Sequence, residues 1–394
     1  MIPWIKKNLF SSPINALLTL GSLWLSYLMF VPAFTFVFHN ANWKVIVDNI
    51  HLFAVGSYPV EQLWRILLNL VLLMGLFGAS IATRTTMGIK SWSLFFLFSG
   101  TAVWNAVAGY GSSQGGFNDA NHYFLVAGAI FYLLGYTLFK FGQKFKKARA
   151  YQIVLGWFFY IFISLILLSG FTDSTVLPRV ENHLWGGLLL TSLVTIVGIV
   201  ASFPLGVALA LGRRSHLPGI RWLCIGFIET IRGVPLITLL FMGQILIPLF
   251  LPPALVVSNL VRVMIAVTLF AAAYMAEYVR GGLQALPVGQ IEASQALGLN
   301  RIQTNLFIVL PQAIRAVIPA LVGECIALFK DTSLVAIVGL LDLTGAAKAA
   351  IGQPAFIGLE AEVFMTIALI YWIFSFIMSR YSRNLEKQLG VGVR

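Results

Sequence analysis

A charged side chain is costly inside a bilayer, so a charge within an apolar stretch is a functional candidate by default. Six such residues stand in the C-terminal half of this 394-residue chain: Glu229, Arg232, Glu277, Glu324, Lys330 and Asp331. Glu229 and Arg232 are spaced i, i+3 and can pair on one helix face; Tyr274 and Glu277 share the same spacing. Glu324 and Asp331 are seven apart and share a face of another helix. Two roles fit such groups. They pair with each other and fix helix register, or they offer partners to a zwitterion that must shed water to cross. Gly233 and Pro235 follow directly in the string Arg-Gly-Val-Pro. Proline removes a backbone donor and glycine weakens a helix, so a break is expected there. Half-helix ends present unpaired backbone groups to a polar solute. Thr230, next to Glu229, belongs to the same candidate path.

Other chemistry finds little support. No G-x-x-x-x-G-K-[ST] string occurs, so ATP is not held here by a P-loop. The five histidines form no HxxH or HExxH pattern, and Cys224 and Cys325 lie far apart in apolar segments. Catalysis, a metal site and a resident cofactor are therefore not expected of this chain.

The richest polar stretch runs from Glu277 to Pro311 between two long apolar segments. Arg280, Gln284, Gln290, Glu292, Gln295, Asn300, Arg301, Gln303 and Asn305 make it too polar for lipid. Its punctuation predicts two short helices. Pro287 suits a first turn and Gly298 a C-terminus in the left-handed region. Asn300 suits an N-cap, and Pro311 is expected to end or kink the second helix. On the first helix Ala293, Ala296 and Leu297 share a small, mildly apolar face fit for a groove on another protein.

This stretch resembles the coupling loop of ABC-importer permeases, whose signature is Glu-Ala-Ala, three residues, Gly, nine residues, Ile-x-Leu-Pro. Here Glu292, Ala293, Ser294, Gly298, Ile308, Leu310 and Pro311 occupy those places, with Ser for the third-position Ala. The strings WGGLLLTSLVTI, ETIRGVPLI, AAAYMAEYVRGGLQALPVGQ, LPQAIRAVIPAL and LFKDTSLVAIVGLLDL resemble the polar amino-acid permeases of that class, over roughly 184–382. The N-terminal half, with NLVLLMGLFGAS, resembles the extension of M-type subunits in general L-amino-acid and neutral amino-acid importers. The resemblance implies a type I permease core and a second permease subunit, a paralogue or a copy. It also implies two ATPase subunits that bind ATP and Mg, an extracytoplasmic solute-binding protein, and an amino-acid substrate.

The elements that must position these residues follow from composition. The chain is 59% hydrophobic and 10% charged, which no soluble domain can bury, so an all-α polytopic membrane protein is expected. Ten apolar runs are long enough to cross: near 15–38, 62–82, 92–110, 121–141, 151–170, 184–211, 222–250, 258–280, 314–340 and 361–380. The net charge of +12 reflects basic residues scattered at span ends rather than a nucleic-acid surface. Of the 26 Lys and Arg, 19 fall in one set of connections and five in the alternate set. That bias places both termini and the 281–313 coupling loop in the cytoplasm, and the resemblance implies a bacterial inner membrane. The division expected is an extension 1–174, a polar linker 175–183, a core 184–382 and a tail 383–394. The function expected is a permease subunit of an ATP-driven amino-acid importer. The rival is an ion-coupled secondary amino-acid transporter using Glu229, Glu277 or Asp331 as proton-coupling carboxylates.

Overall fold

The computed structural model describes Trp4 and residues 8–82, 133–137, 146–172, 174–252 and 255–389. It is built of helices. The extension supplies α1 (Pro13–Thr35), the short α2 (Lys44–Asp48) and α3 (Ile50–Val55), α4 (Leu63–Ala82) and α5 (Lys146–Ser169). The C-terminal half supplies α6 (Gly187–Arg213), α7 (Pro218–Gly233), α8 (Leu236–Phe250), α9 (Asn259–Gln284) and α10 (Gly289–Ala296). It closes with α11 (Leu310–Asp331), α12 (Leu343–Ile351) and α13 (Glu360–Leu389). Among the described residues seven helices are long and apolar enough to span, and α7 with α8 forms a further, bent candidate. These match eight of the ten expected spans. The other two, near 92–110 and 121–141, fall almost wholly outside the described residues, apart from a helical stretch at 133–137.

Among the described residues, helices α6 and α9 make the most extensive contact, with α11 packed on α9. The small residues of α9 allow it: Ala271, Ala272, Ala273 and Ala276 are fully buried. Without a hydrophobic drive between helices in lipid, close approach of backbones supplies the attraction.

Packing also crosses the polar linker. Val45 and Phe53 of α2 and α3 share one buried cluster with Leu343, Ala346, Ala347, Ala350, Val363 and Ile367 of α12 and α13. Gln353 donates to Asn49 Oδ1 at 2.6 Å, and the Asn42 amide donates to Glu362 Oε1 at 3.0 Å. At this seam Gly56 pairs with Trp185 in a single antiparallel bridge. A Cβ on Gly186 would lie 2.7 Å from the Gly56 Cα, and Gly56 itself has φ +73°, so both positions need glycine.

Candidate coupling surface and charge cluster

The polar loop after α9 folds as two linked pieces. Helix α10 runs over Gly289–Ala296 with Glu292 in its first turn. There its carboxylate faces the positive dipole end. Gly298 follows at φ +76°, the conformation that lets the chain leave the helix. Asn300 then caps a helical turn, Arg301–Gln303: its side chain accepts from the Gln303 amide while Gln303 Oε1 accepts from the Asn300 amide, each at 2.9 Å. Pro311 does not end this helix. A π-helical turn, Thr304–Val309, carries the chain straight into α11, and Pro311 sits in the first turn of α11, where a missing N–H costs nothing.

The outer face of α10 is bare. Ala293 and Ala296 are exposed, Leu297 is 81% exposed and Val288 67%. Ser294 points the other way: it is buried, its hydroxyl donates to the Ile291 carbonyl at 2.7 Å, and it lies 3.0 Å from the Thr304 hydroxyl. The residue that departs from the expected signature thus fastens α10 to the π turn behind it. Val309 is buried, while Ile308 and Leu310 are partly so.

The expected break is present. Helices α7 and α8 meet at Val234 and Pro235 with a bend of 112°. The charges around it pair differently from the i, i+3 expectation. Glu229 accepts from Arg213 Nη1 at 3.0 Å, and Arg232 reaches Glu277 Oε2 at 3.4 Å, so neither partners the other. Helical spacing puts two side chains on one face, but longer-range partners from α6 and α9 compete for them. Glu277 is the centre: Arg213 Nη1 lies 2.6 Å from its Oε1 and Arg280 Nη2 2.7 Å from its Oε2. The Arg232 guanidinium also stands 5.5 Å from the Tyr274 ring centre. Glu324, buried on α11, instead accepts from the Tyr278 hydroxyl at 3.2 Å. Lys330 and Asp331 lie at the far end of α11 and do not join the cluster, and Thr230 is exposed on α7. Arg213 and Arg280 read in the sequence as topology determinants. For Arg280 the i, i+3 spacing from Glu277 carried the signal; for Arg213 nothing local did.

Comparison with known proteins adds a separate line. The family model for a binding-protein-dependent transport system inner membrane component matches residues 202–391. The inner membrane amino-acid ABC transporter permease protein YhdY of Escherichia coli (strain K12) is 40% identical over 404 residues, 99% of this chain and 93% of that protein. The chain belongs to the amino-acid ABC transporter permeases. The glutamate/glutamine/aspartate/asparagine transport system permease protein BztC of Rhodobacter capsulatus is 36% identical, over 98% of this chain and 93% of that one. A crystal structure of an amino acid ABC transporter with histidines covers 51% of this chain and 92% of its own, at 28% identity and TM-score 0.46. This permease is accordingly a multi-pass inner-membrane transport subunit and not an enzyme; hydrolysis of ATP is the work of a separate subunit.

Proposed function

We propose that this permease carries amino acids into the cell, of the broad-range or neutral L-class, and that ATP drives it through the 287–311 loop. The observation that carries the reading is the shape of α10. Its exposed Leu297 and Ala293 form a small apolar knob, and the Ser294–Thr304 contact holds the knob from behind to the π turn that leads into α11. A cytoplasmic ATPase with a groove for this knob moves α10 as a lever, and the spans on either side switch access. Two ATPases, binding ATP and Mg, a second permease of related or identical sequence and an external solute-binding protein complete the assembly. Both termini face the cytoplasm in this reading, as the distribution of Lys and Arg requires.

The path for the solute runs beside the α7–α8 break. The amides that open α8 after Pro235 suit a carboxylate, with the helix dipole behind them. Glu229, whose side chain is 54% exposed although it pairs with Arg213, suits an ammonium group. Thr230, Gly233 and Tyr274 border the same region, with Glu324, Lys330 and Asp331 further along α11.

The test is uptake by proteoliposomes holding the assembled complex. Uptake of labelled neutral amino acids that needs ATP inside and binding protein outside, and that survives collapse of the proton gradient, supports the reading. Uptake that follows the gradient and ignores ATP overturns it in favour of an ion-coupled carrier.

A further inference from the structure

The two oxygens of Glu277 divide three arginines from three helices. Oε1 takes Arg213 from the end of α6 and Arg280 from α9; Oε2 takes Arg280 and Arg232, the latter from the last turn of α7. The side chain is only 12% exposed, so these contacts are little screened by water. With Glu229 included, the cluster holds three positive and two negative charges. It extends at both ends. Arg280 Nη1 donates at 2.8 Å to Gln284 Oε1, and Gln284 is the last residue of α9, where the chain leaves for α10. Arg232 immediately precedes Gly233, Val234 and the bend at Pro235. An unbroken run of polar contacts therefore connects the start of the coupling loop with the break in the span beside the proposed path.

The links in that run are unequal. Arg213 and Arg280 approach Glu277 to 2.6 and 2.7 Å, at the distance of strong charge-assisted hydrogen bonds. Arg232 stands at 3.4 Å, is 34% exposed, and has the Tyr274 ring as a second resting place. An element that passes between two arrangements parts where it is held least. We propose that the Arg232–Glu277 contact is an ionic latch: closed, it ties the hinge at the α7–α8 break to the coupling loop, and its rearrangement lets the motion of α10 reach the hinge. Arg232 and Glu277 are then positioning residues for transport rather than ligands of the solute. The latch deepens the ATP-driven reading above and rests on it. A contact biases a two-state equilibrium only if its strength differs between the states, so the experiment must read coupling rather than stability.

The experiment uses the assembled complex in proteoliposomes and measures ATP hydrolysed per amino acid carried, together with the solute concentration that half-saturates uptake. Arg232→Gln removes the latch and leaves Glu277 its two closer arginines. Gln284→Ala cuts the run at its exposed far end without burying a charge, and serves if Arg232→Gln fails to assemble. The expected result is a rise of about fivefold or more in ATP per solute for Arg232→Gln, a smaller rise for Gln284→Ala, and an unchanged half-saturating concentration. Arg232→Lys should recover part of the loss. A ratio that stays constant while both rates fall together marks a purely structural pair and overturns the latch. A shifted half-saturating concentration marks a solute ligand and overturns it as well. If the unaltered complex carries amino acids without hydrolysing ATP, the functional reading falls first and the latch with it.

Discussion

The hydroxyls of Ser294 and Thr304 lie 3.0 Å apart, ten residues from each other and both buried beneath the coupling helix. They join α10 to the π turn that leads into α11. A lever transmits only what its own joints do not absorb, so under the proposed function this contact would serve transport as well as the fold.

Ser294→Ala should therefore cost about 0.5–1.5 kcal/mol, the usual net worth of one hydrogen bond, and Thr304→Val a similar amount. The double change should cost less than the sum, because each single change already removes the bond. The measurement is thermal unfolding of the purified complex; strictly additive costs would show that the two hydroxyls do not act together.

Leu297→Glu places a charge on a side chain that is 81% exposed and touches little of its own chain. Expression and thermal stability should stay within about 0.5 kcal/mol of the unaltered protein, as for surface changes generally. Co-purification of the ATPase should collapse. Full retention of the ATPase would move the docking face away from α10.

Gly298→Asp should express normally and lose transport together with stimulation of the ATPase. At φ +76° a side chain is strained by about 1–2 kcal/mol, and the new carboxylate opposes the negative end of the α10 dipole. Near-normal uptake by this variant would mean that the loop is no lever.

Phe53→Ala empties a site in the cluster shared by α3, α12 and α13, where Phe53 is 1% exposed. The expected cost is about 3–5 kcal/mol. Gly56→Ala, which drives a methyl into Gly186 and strains a positive φ, should be comparably harmful. A chain lacking residues 1–174 should unfold at lower temperature than the full chain by size-exclusion assay. An equally stable truncated core would show that the extension is only an addition.

Single cysteines at Thr175 and Gly352 should react with impermeant thiol reagents added outside intact cells, whereas one at Leu297 should not. The reverse pattern would invert the orientation read from Lys and Arg.

What was legible in the sequence follows the range of the interaction involved. The break at Gly233 and Pro235, the Asn300 cap and the Gly298 exit depend on one or two backbone positions, and each is where the residue types placed it. The partners of Glu229 and Arg232 depend on which way α6 and α9 are turned, which no local spacing reveals, so Arg213 was invisible as a partner. Pro311 does not end the helical run, because it falls in the first turn of α11 directly after a π turn that local spacing does not announce. Helices α2 and α3, of five and six residues, are too short to stand out from the connections around them, yet they enter the core.

The bend between α7 and α8 also governs how the chain can be threaded into a membrane during synthesis. Helix α7 has 16 residues and α8 has 15, so each is only about 24 Å long or less, short of a hydrocarbon layer of about 30 Å. Neither half is long enough to cross on its own, so in the ten-span reading the insertion machinery takes the pair as one passage. Were each half to cross separately, every later connection would exchange sides, and α10 would leave the cytoplasmic side proposed for it. Straightening Pro235 alone would leave that parity intact; only lengthening both halves into full crossings would reverse it.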